Sequence, residues 1–270
     1  MEYPYLILTP WQVGLASLLI IVNGVISAGL QLKMERTLAV AAVRTVLQLL
    51  LIGMVLEWVF QVEKATVVLG LLSLMTLVAA LTAVQRTPRR YPGIWWNTLI
   101  SVWVSSWFVT AYAMMVVLGG VQRWYQPQYA VPLMGMILGN TMNGVSLGQS
   151  ALIDALLSRR DRVETLLALG ATRWEAAIGP IRHAVRTGMI PLVNMMMVVG
   201  LVNLPGMMTG QILSGTQPMQ AVKYQIVIMF LIASSAALGT VAVVLFAFLR
   251  LFSGDHQFLA ARLEPSSPPR

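Results

Sequence analysis

Residues 154–186 read DALLSRRDRVETLLALGATRWEAAIGPIRHAVR and form the one long polar segment between hydrophobic stretches. The chain has 18 basic residues, and six of them, all arginines, lie in this segment. Within it, residues 164–172 (ETLLALGAT) combine leucines with Gly170, and glycine readily ends a helix in a turn. The segment predicts a short helix after Arg162 with Leu166, Leu167 and Leu169 on one side. Such a helix can seat in a groove of a partner protein or lie among lipid headgroups.

The rest of the chain is strongly apolar, with 57% hydrophobic and only 10% charged residues. Its mean hydropathy is +0.75. About 20 apolar residues cross the hydrocarbon of a bilayer, and seven stretches meet that length: residues 11–30, 38–59, 65–84, 94–118, 130–153, 187–213 and 222–249. The predicted fold class is all-α, a polytopic membrane protein with about seven transmembrane helices and a cytoplasmic coupling helix.

The basic residues predict the orientation, because cytoplasmic loops are enriched in lysine and arginine. With the N-terminus outside and the C-terminus in the cytoplasm, 14 of the 18 basic residues lie inside and Arg44 lies within a span. The three outside are Lys64, Arg123 and Lys223. Tryptophans near the proposed span ends, including Trp124, agree with these boundaries.

Several functions are disfavoured by the composition. The net charge is +8, and most of the basic residues lie in predicted loops that would face anionic lipid. Membrane lipid is therefore expected as a partner, and nucleic acid is not. The chain has no cysteine and only two histidines, His183 and His256, so neither a thiolate metal site nor a histidine-pair site is predicted. No phosphate-binding Gly-x4-Gly-Lys-Ser/Thr loop is present. The chain is therefore not expected to be an enzyme, and any ATP must be hydrolysed elsewhere.

Two sets of motifs resemble known transporters. The pattern of Glu164, Leu169, Gly170, Ala171 and Thr172 resembles the EAA-type cytoplasmic loop of ABC-transporter permeases, with His183 where that loop has proline. Three further stretches resemble the FetB family (UPF0014-type): GNTMNGVSL at 139–147, LPGMMTGQIL at 204–213 and YQIVIMF at 224–230.

The resemblance implies a permease in the cell inner (plasma) membrane that pairs with a separate ABC ATP-binding subunit. That subunit would hold ATP-Mg, this chain would bind no cofactor, and the permease would form a homodimer. Residues 1–253 would be one transmembrane permease domain containing the cytoplasmic coupling segment 154–186, followed by a cytoplasmic tail, 254–270. The coupling residues would be Glu164, Leu166, Leu169, Gly170, Ala171 and Thr172.

The resemblance also bears on the cargo. Bacterial members of the family are linked to iron export and oxidative-stress resistance, and plant relatives to aluminium tolerance and, in one case, UDP-glucose transport. We therefore expect export of iron or a related metal species. The alternatives are an anionic solute such as UDP-glucose, or a self-sufficient secondary transporter. A membrane scaffold without transport is a third possibility, but it makes the polar residues within the spans unnecessary.

Polar residues within the spans suggest a substrate pathway. Asn140, Asn143 and Ser146 recur every three residues, so a helix places them on one stripe, which should face protein or water. The alternative is hydrogen bonding between helices, and the pairs Gly135/Gly139 and Gly144/Gly148 suit close helix packing. Asn194 and Asn203, in the sixth span, are further candidates.

Two other features of the spans are chemically unusual. Arg44, with Gln48 one turn away, could draw an anion into the pathway or could extend its charged group to the interface. Pro205 and Gly206 predict a hinge, because proline breaks the helical hydrogen-bond ladder. Apart from Glu57, near the outer end of the second span, the spans contain no aspartate, glutamate or histidine, so bare iron lacks its usual ligands in their interiors. The metal-binding residues are unknown from sequence.

Overall fold

The computed structural model describes residues 9–119 and 125–265. Arg123, Trp124 and the last part of the predicted tail, 266–270, lie outside the described residues. The described part contains nine α-helices: α1 (Pro10–Gly29), α2 (Glu35–Val62), α3 (Ala65–Gln85), α4 (Ile94–Tyr112), α5 (Pro127–Ser158), α6 (Arg160–Ala168), α7 (Arg173–Val198), α8 (Gly206–Leu213) and α9 (Pro218–Leu251). The smaller elements are a π-helical turn (Ala113–Val117), a 3-10 turn (Ala260–Arg262) and two short strands, β1 (Arg89–Arg90) and β2 (Glu264–Pro265). The all-α prediction is confirmed.

Helix α5 is the centre of the fold and packs against α3, α4, α7 and α9. Small residues allow the closest of these contacts. A Cβ added to Gly144 or Gly148 would lie 2.7 Å from the side chain of Thr240 on α9, and one added to Gly188 on α7 would lie 2.7 Å from the carbonyl oxygen of Gly144. The predicted packing role of Gly144 and Gly148 is confirmed, whereas a Cβ added to Gly139 would have no such neighbour within 4 Å among the described residues.

The helices α1 and α2 form a peripheral hairpin. At its turn, the Ser27 hydroxyl donates a hydrogen bond to the Glu35 carboxylate over 2.9 Å. Most of the apolar side chains of both helices are exposed, and α2 makes few contacts with α3 and α5. Exposed apolar helices of this kind suit a lipid environment.

Five helical segments of the described chain are long and apolar enough to cross a membrane: Trp11–Gly29, Glu35–Val62, Ala65–Gln85, Ile94–Val117 and Pro218–Leu251. The helices α5 and α7, with 32 and 26 residues, are not among them. Both carry polar side chains, including Gln149 on α5 and Arg186 on α7, that lower their hydropathy. The count of about seven spans therefore stays a prediction.

The predicted sixth span, 187–213, is wrong as a continuous unit. The helix α7 begins earlier, at Arg173, and ends at Val198, and α8 starts only at Gly206. Gly200 takes a left-handed φ of 82°, and its N–H donates to the Asn203 carbonyl over 2.9 Å. The turn so formed ends α7 well before the proline that was expected to break it, because glycine adopts this conformation readily.

Several chain ends meet at one end of the bundle. Arg89, after α3, forms an ion pair with Asp154 of α5 over 3.1 Å. The strands β1 and β2 pair antiparallel, so the chain after α9 contacts the α3–α4 connection. The guanidinium of Arg173, at the start of α7, donates to the Ser253 carbonyl over 3.2 Å. The ends of α3, α5 and α9 and the starts of α4 and α7 therefore share one face.

Candidate functional site

The turn between α6 and α7, residues 169–172, has a tightly specified backbone. Gly170 has φ of 90°, a conformation that costs other L-residues energy. The N–H of Gly170 donates to the Leu167 carbonyl and that of Ala171 to the Leu166 carbonyl, both over 3.0 Å. This pair of bonds is the Schellman motif that closes a helix C-terminus. The predicted glycine turn is confirmed.

A capping box begins α7 immediately after this turn. The Glu175 N–H donates to the Thr172 hydroxyl oxygen over 3.3 Å, and the Thr172 N–H donates to the Glu175 carboxylate over 2.7 Å. These bonds satisfy backbone donors that a helix start leaves free. The backbone N–H and then the hydroxyl of Thr172 lower the pKa of the Glu175 carboxyl, because both stabilise its charged form. The end of one helix and the start of the next are thus both fixed by local bonds.

The side chains around the turn divide between the core and the surface. Val163 of α6 is buried, and Leu166 and Leu167 pack half-buried against the core. Leu169 is 79% exposed. The predicted grouping of Leu169 with the other two leucines is wrong, because α6 ends at Ala168 and the following turn carries Leu169 off that face. The turn therefore exposes one large apolar side chain, Leu169, on a hydrogen-bonded backbone.

Glu164, a predicted coupling residue, has a partner within its own helix. The Arg160 side chain donates to its carboxylate over 2.6 Å, four residues apart. Oppositely charged side chains four residues apart are neighbours on a helix surface and support the helix. The geometry of Glu164 therefore supports α6, and its carboxylate remains about half exposed.

The three predicted stripe residues of α5 have different environments. Asn143 is exposed, and its side-chain oxygen accepts a 2.6 Å hydrogen bond from Arg86. Asn140 is half-buried and donates to the Met136 carbonyl over 2.9 Å. Ser146 is buried and donates to the Asn143 carbonyl over 3.1 Å. The side-chain amides of both asparagines are thus partly accessible, whereas the Ser146 hydroxyl is buried and hydrogen-bonded to the backbone of its own helix.

The other predicted pathway residues lie apart from this stripe. Arg44 and Gln48 line one exposed depression on α2, of about 420 Å³. Asn194 and Asn203 are exposed near the end of α7 and in the following turn. Pro205 stands at the N-cap of α8, directly before Gly206. The structure brings Arg44 and Gln48 together but does not join them to the α5 residues.

A cavity of about 540 Å³ lies between the end of α7, the turn that follows it, α8 and α9. It is lined mainly by apolar residues, among them Met196, Met208 and Met229. Gln225 also lines it, although that residue is only 8% exposed and its side-chain oxygen has no hydrogen-bond partner within the described part of the chain. The size falls within the range of small-molecule sites. In the described part of the chain, no three histidine, aspartate or glutamate side chains cluster as metal ligands do.

A buried belt of polar side chains was missed by the sequence analysis. Gln149 of α5 donates to the Tyr91 hydroxyl over 2.9 Å, and its oxygen accepts from Thr98 over 3.4 Å. Deeper in the bundle, the hydroxyls of Thr141 and Ser235 lie 2.8 Å apart. Burial raises the pKa of the Tyr91 hydroxyl. The available signal was the four-residue spacing of polar side chains along α4, at 97, 101 and 105.

Residues 10–252 match the family described as "Uncharacterised protein family (UPF0014)". A UPF0014 membrane protein of Synechocystis sp. is 42% identical over 80% of this chain and 83% of its own. The probable iron export permease protein FetB of Escherichia coli is 30% identical over 95% and 97% of the two chains. The Arabidopsis thaliana protein ALUMINUM SENSITIVE 3 is 31% identical over 84% and 81%. No solved structure matches.

Proposed function

We propose an energised transport function for this chain, which belongs to the UPF0014 family of membrane proteins. The chain is the permease subunit of an ABC transporter and takes its energy from ATP-Mg hydrolysed by a separate ATP-binding subunit. The observation that carries this proposal is the α6–α7 turn. It displays Leu169 to solvent on a backbone fixed by a Schellman motif and a capping box.

The position of α7 explains how a force on the turn would reach the transport path. The helix starts directly after the turn and extends to Val198, with Pro180 and Pro191 inside it. Along the way Gly188 brings it into backbone contact with α5. Packed helices move as rigid bodies when a partner displaces one end. Closure of the ATP-binding subunits would therefore shift α7 against α5 and open or close a path between them.

The proposed orientation follows the distribution of charge. The end of the bundle that holds the α6–α7 turn also holds Arg86, Arg89 and Arg90, beside the arginines of residues 159–173. Basic residues concentrate on the cytoplasmic side of membrane proteins. This charge distribution supports an α6–α7 turn that faces the cytoplasm. We therefore propose a protein of the cell inner membrane with seven spans and its N-terminus outside. Two copies of the permease, as a homodimer, would offer one turn to each of two ATP-binding subunits.

For the cargo, we propose iron or a related metal species. The support is the name of the E. coli relative, a probable iron export permease. The described residues hold no cluster of carboxylate and imidazole ligands, so we favour a chelated form or transient carbonyl and amide ligands over a preformed metal site. The exposed pair Arg44 and Gln48 favours a second candidate, an anionic solute such as UDP-glucose, since the guanidinium attracts anions.

The test is transport in vesicles that contain this chain and its ATP-binding subunit. Ferrous ion, an iron chelate and UDP-glucose are offered in parallel, with and without ATP. We expect ATP-dependent movement of one iron species. ATP-dependent movement of UDP-glucose alone would replace iron by the anionic cargo. Uphill movement by this chain without any ATP-binding subunit would favour a secondary transporter.

A further inference from the structure

The chain after α9 folds back onto the start of α7. The backbone N–H of Arg173 donates to Nδ1 of His256 over 3.0 Å, and the Arg173 guanidinium donates to the Ser253 carbonyl over 3.2 Å. Arg173 directly follows Thr172, the last residue of the α6–α7 turn. Two bonds to one residue therefore tie the region after α9 to this turn.

Aromatic packing holds this returning segment, residues 253–263, in place. The rings of Phe252 and Phe258 lie 5.3 Å apart, and Phe252 in turn contacts Phe248 at 5.2 Å. Trp174 meets Phe248 edge-on at 5.7 Å. The Leu259 N–H also donates to the Leu251 carbonyl over 2.9 Å. Residues that were predicted to form a separate tail are thus anchored to α7 and α9.

The tip of the segment, residues 254–257, is exposed. His256 lies there with φ of 58°, a left-handed conformation that is uncommon outside glycine and that histidine adopts more often than most other residues. Its ring contacts the backbone immediately after the turn, so a protein that grips residues 169–172 comes within reach of the tip. The conformation of His256 is what presents its ring nitrogen to Arg173.

We propose that the tip 254–257 and the α6–α7 turn form one composite surface that receives the ATP-binding subunit. This inference rests on the proposed function. The turn supplies Leu169 for an apolar pocket of the partner, and the tip supplies a polar border beside it. His256 is a positioning residue, because it fixes the start of α7 by accepting the Arg173 N–H.

Site-directed cross-linking tests the composite surface, and the absence of cysteine from the chain gives a clean background. Gln257→Cys places a thiol on the tip, Leu169→Cys places one on the turn, and Lys223→Cys places one at the other end of α9. Each variant is labelled with a photoreactive maleimide in the presence of the ATP-binding subunit. We expect the first two to cross-link to that subunit and the third not to.

The outcomes separate the two proposals. Cross-linking from Leu169→Cys but not from Gln257→Cys overturns the composite surface and leaves the proposed function standing. Equal cross-linking from all three positions overturns it as well, because the contact is then not specific. Failure of the wild-type chain to bind any ATP-binding subunit overturns the proposed function and this inference with it.

Substitutions of His256 test its positioning role through the dissociation constant of the ATP-binding subunit. His256→Asn keeps an acceptor and tolerates the left-handed backbone, so we expect affinity within about twofold of wild type. His256→Gly keeps the backbone conformation but removes the acceptor, and we expect affinity about threefold to tenfold weaker. Wild-type affinity in His256→Gly would overturn the positioning role.

Discussion

The carbonyl oxygen of Gly144 lies 2.7 Å from the point that a Cβ on Gly188 would occupy, so α5 and α7 meet backbone against backbone. A Cβ on Gly188 would also lie 2.6 Å from the Thr240 methyl group of α9. Gly188→Ala must push α5 and α7 apart, because the Gly144 oxygen is main chain and cannot rotate away. We expect the free energy of unfolding in detergent to fall by about 1–3 kcal/mol, the usual cost of overpacking. Gly179→Ala is the control: it lies on the same helix, and among the described residues no other element comes within 4 Å of the added Cβ. Equal stability of the two variants would contradict this packing.

The left-handed backbone of Gly170 predicts which substitutions the α6–α7 turn tolerates. Gly170→Val places a β-branched residue at φ of 90°, where the strain costs about 1–2 kcal/mol. We expect about tenfold weaker binding of the ATP-binding subunit, with membrane insertion unchanged. Gly170→Asn is the matched control, since asparagine accepts this conformation better. Pull-down from detergent extracts measures both, and unaltered binding by Gly170→Val would argue against docking at this turn.

The capping box at the start of α7 predicts a pH-dependent stability. The folded state lowers the pKa of Glu175, so its carboxylate stabilises the fold above the ordinary glutamate pKa of about 4.3. That contribution is lost as the pH falls through the lowered pKa. We expect the difference in Tm between wild type and Glu175→Ala to be constant above about pH 5 and to shrink in more acidic solution. A difference that grows on acidification would contradict the assigned contact.

We predict that replacing the accessible side-chain amides of α5 impairs transport. If Asn140 and Asn143 line the path, their joint replacement by leucine removes polar contacts with the cargo and lowers ATP-dependent flux by about tenfold. Asn23→Leu, the same chemical change on the exposed helix α1, should leave flux unaltered. Flux is measured in vesicles at equal protein insertion. If the double variant transports at the wild-type rate, the substrate path does not run along this stripe.

Much of the candidate site could be predicted from sequence because its signals are local. Gly170 follows a leucine-rich run and precedes Thr172 and Glu175, and these residues determine their own turn and cap. The predicted helix break at Pro205 lies several residues after the observed end of α7. Both Gly200 and Pro205 can end a helix, and the sequence does not indicate which of them does so. The conformation of Gly200 is the earlier break in the structure.

The remaining features depend on contacts between distant residues. His256 lies 83 positions from Arg173, and nothing in a stretch that looks like a polar tail marks it as a partner. The buried hydroxyls of Thr141 and Ser235 are separated by 94 positions. Serine and threonine can satisfy their hydroxyls within their own helix, so sequence alone does not distinguish a buried belt from isolated side chains.

The central claim is that this permease borrows its energy from a separate ATP-hydrolysing subunit. The most direct measurement is uphill solute transport in liposomes that contain the purified chain with the ATP-binding subunit, compared with the chain alone. We predict accumulation against a gradient only when both proteins and ATP-Mg are present. Accumulation by the chain alone, driven by an ion gradient, would contradict the account.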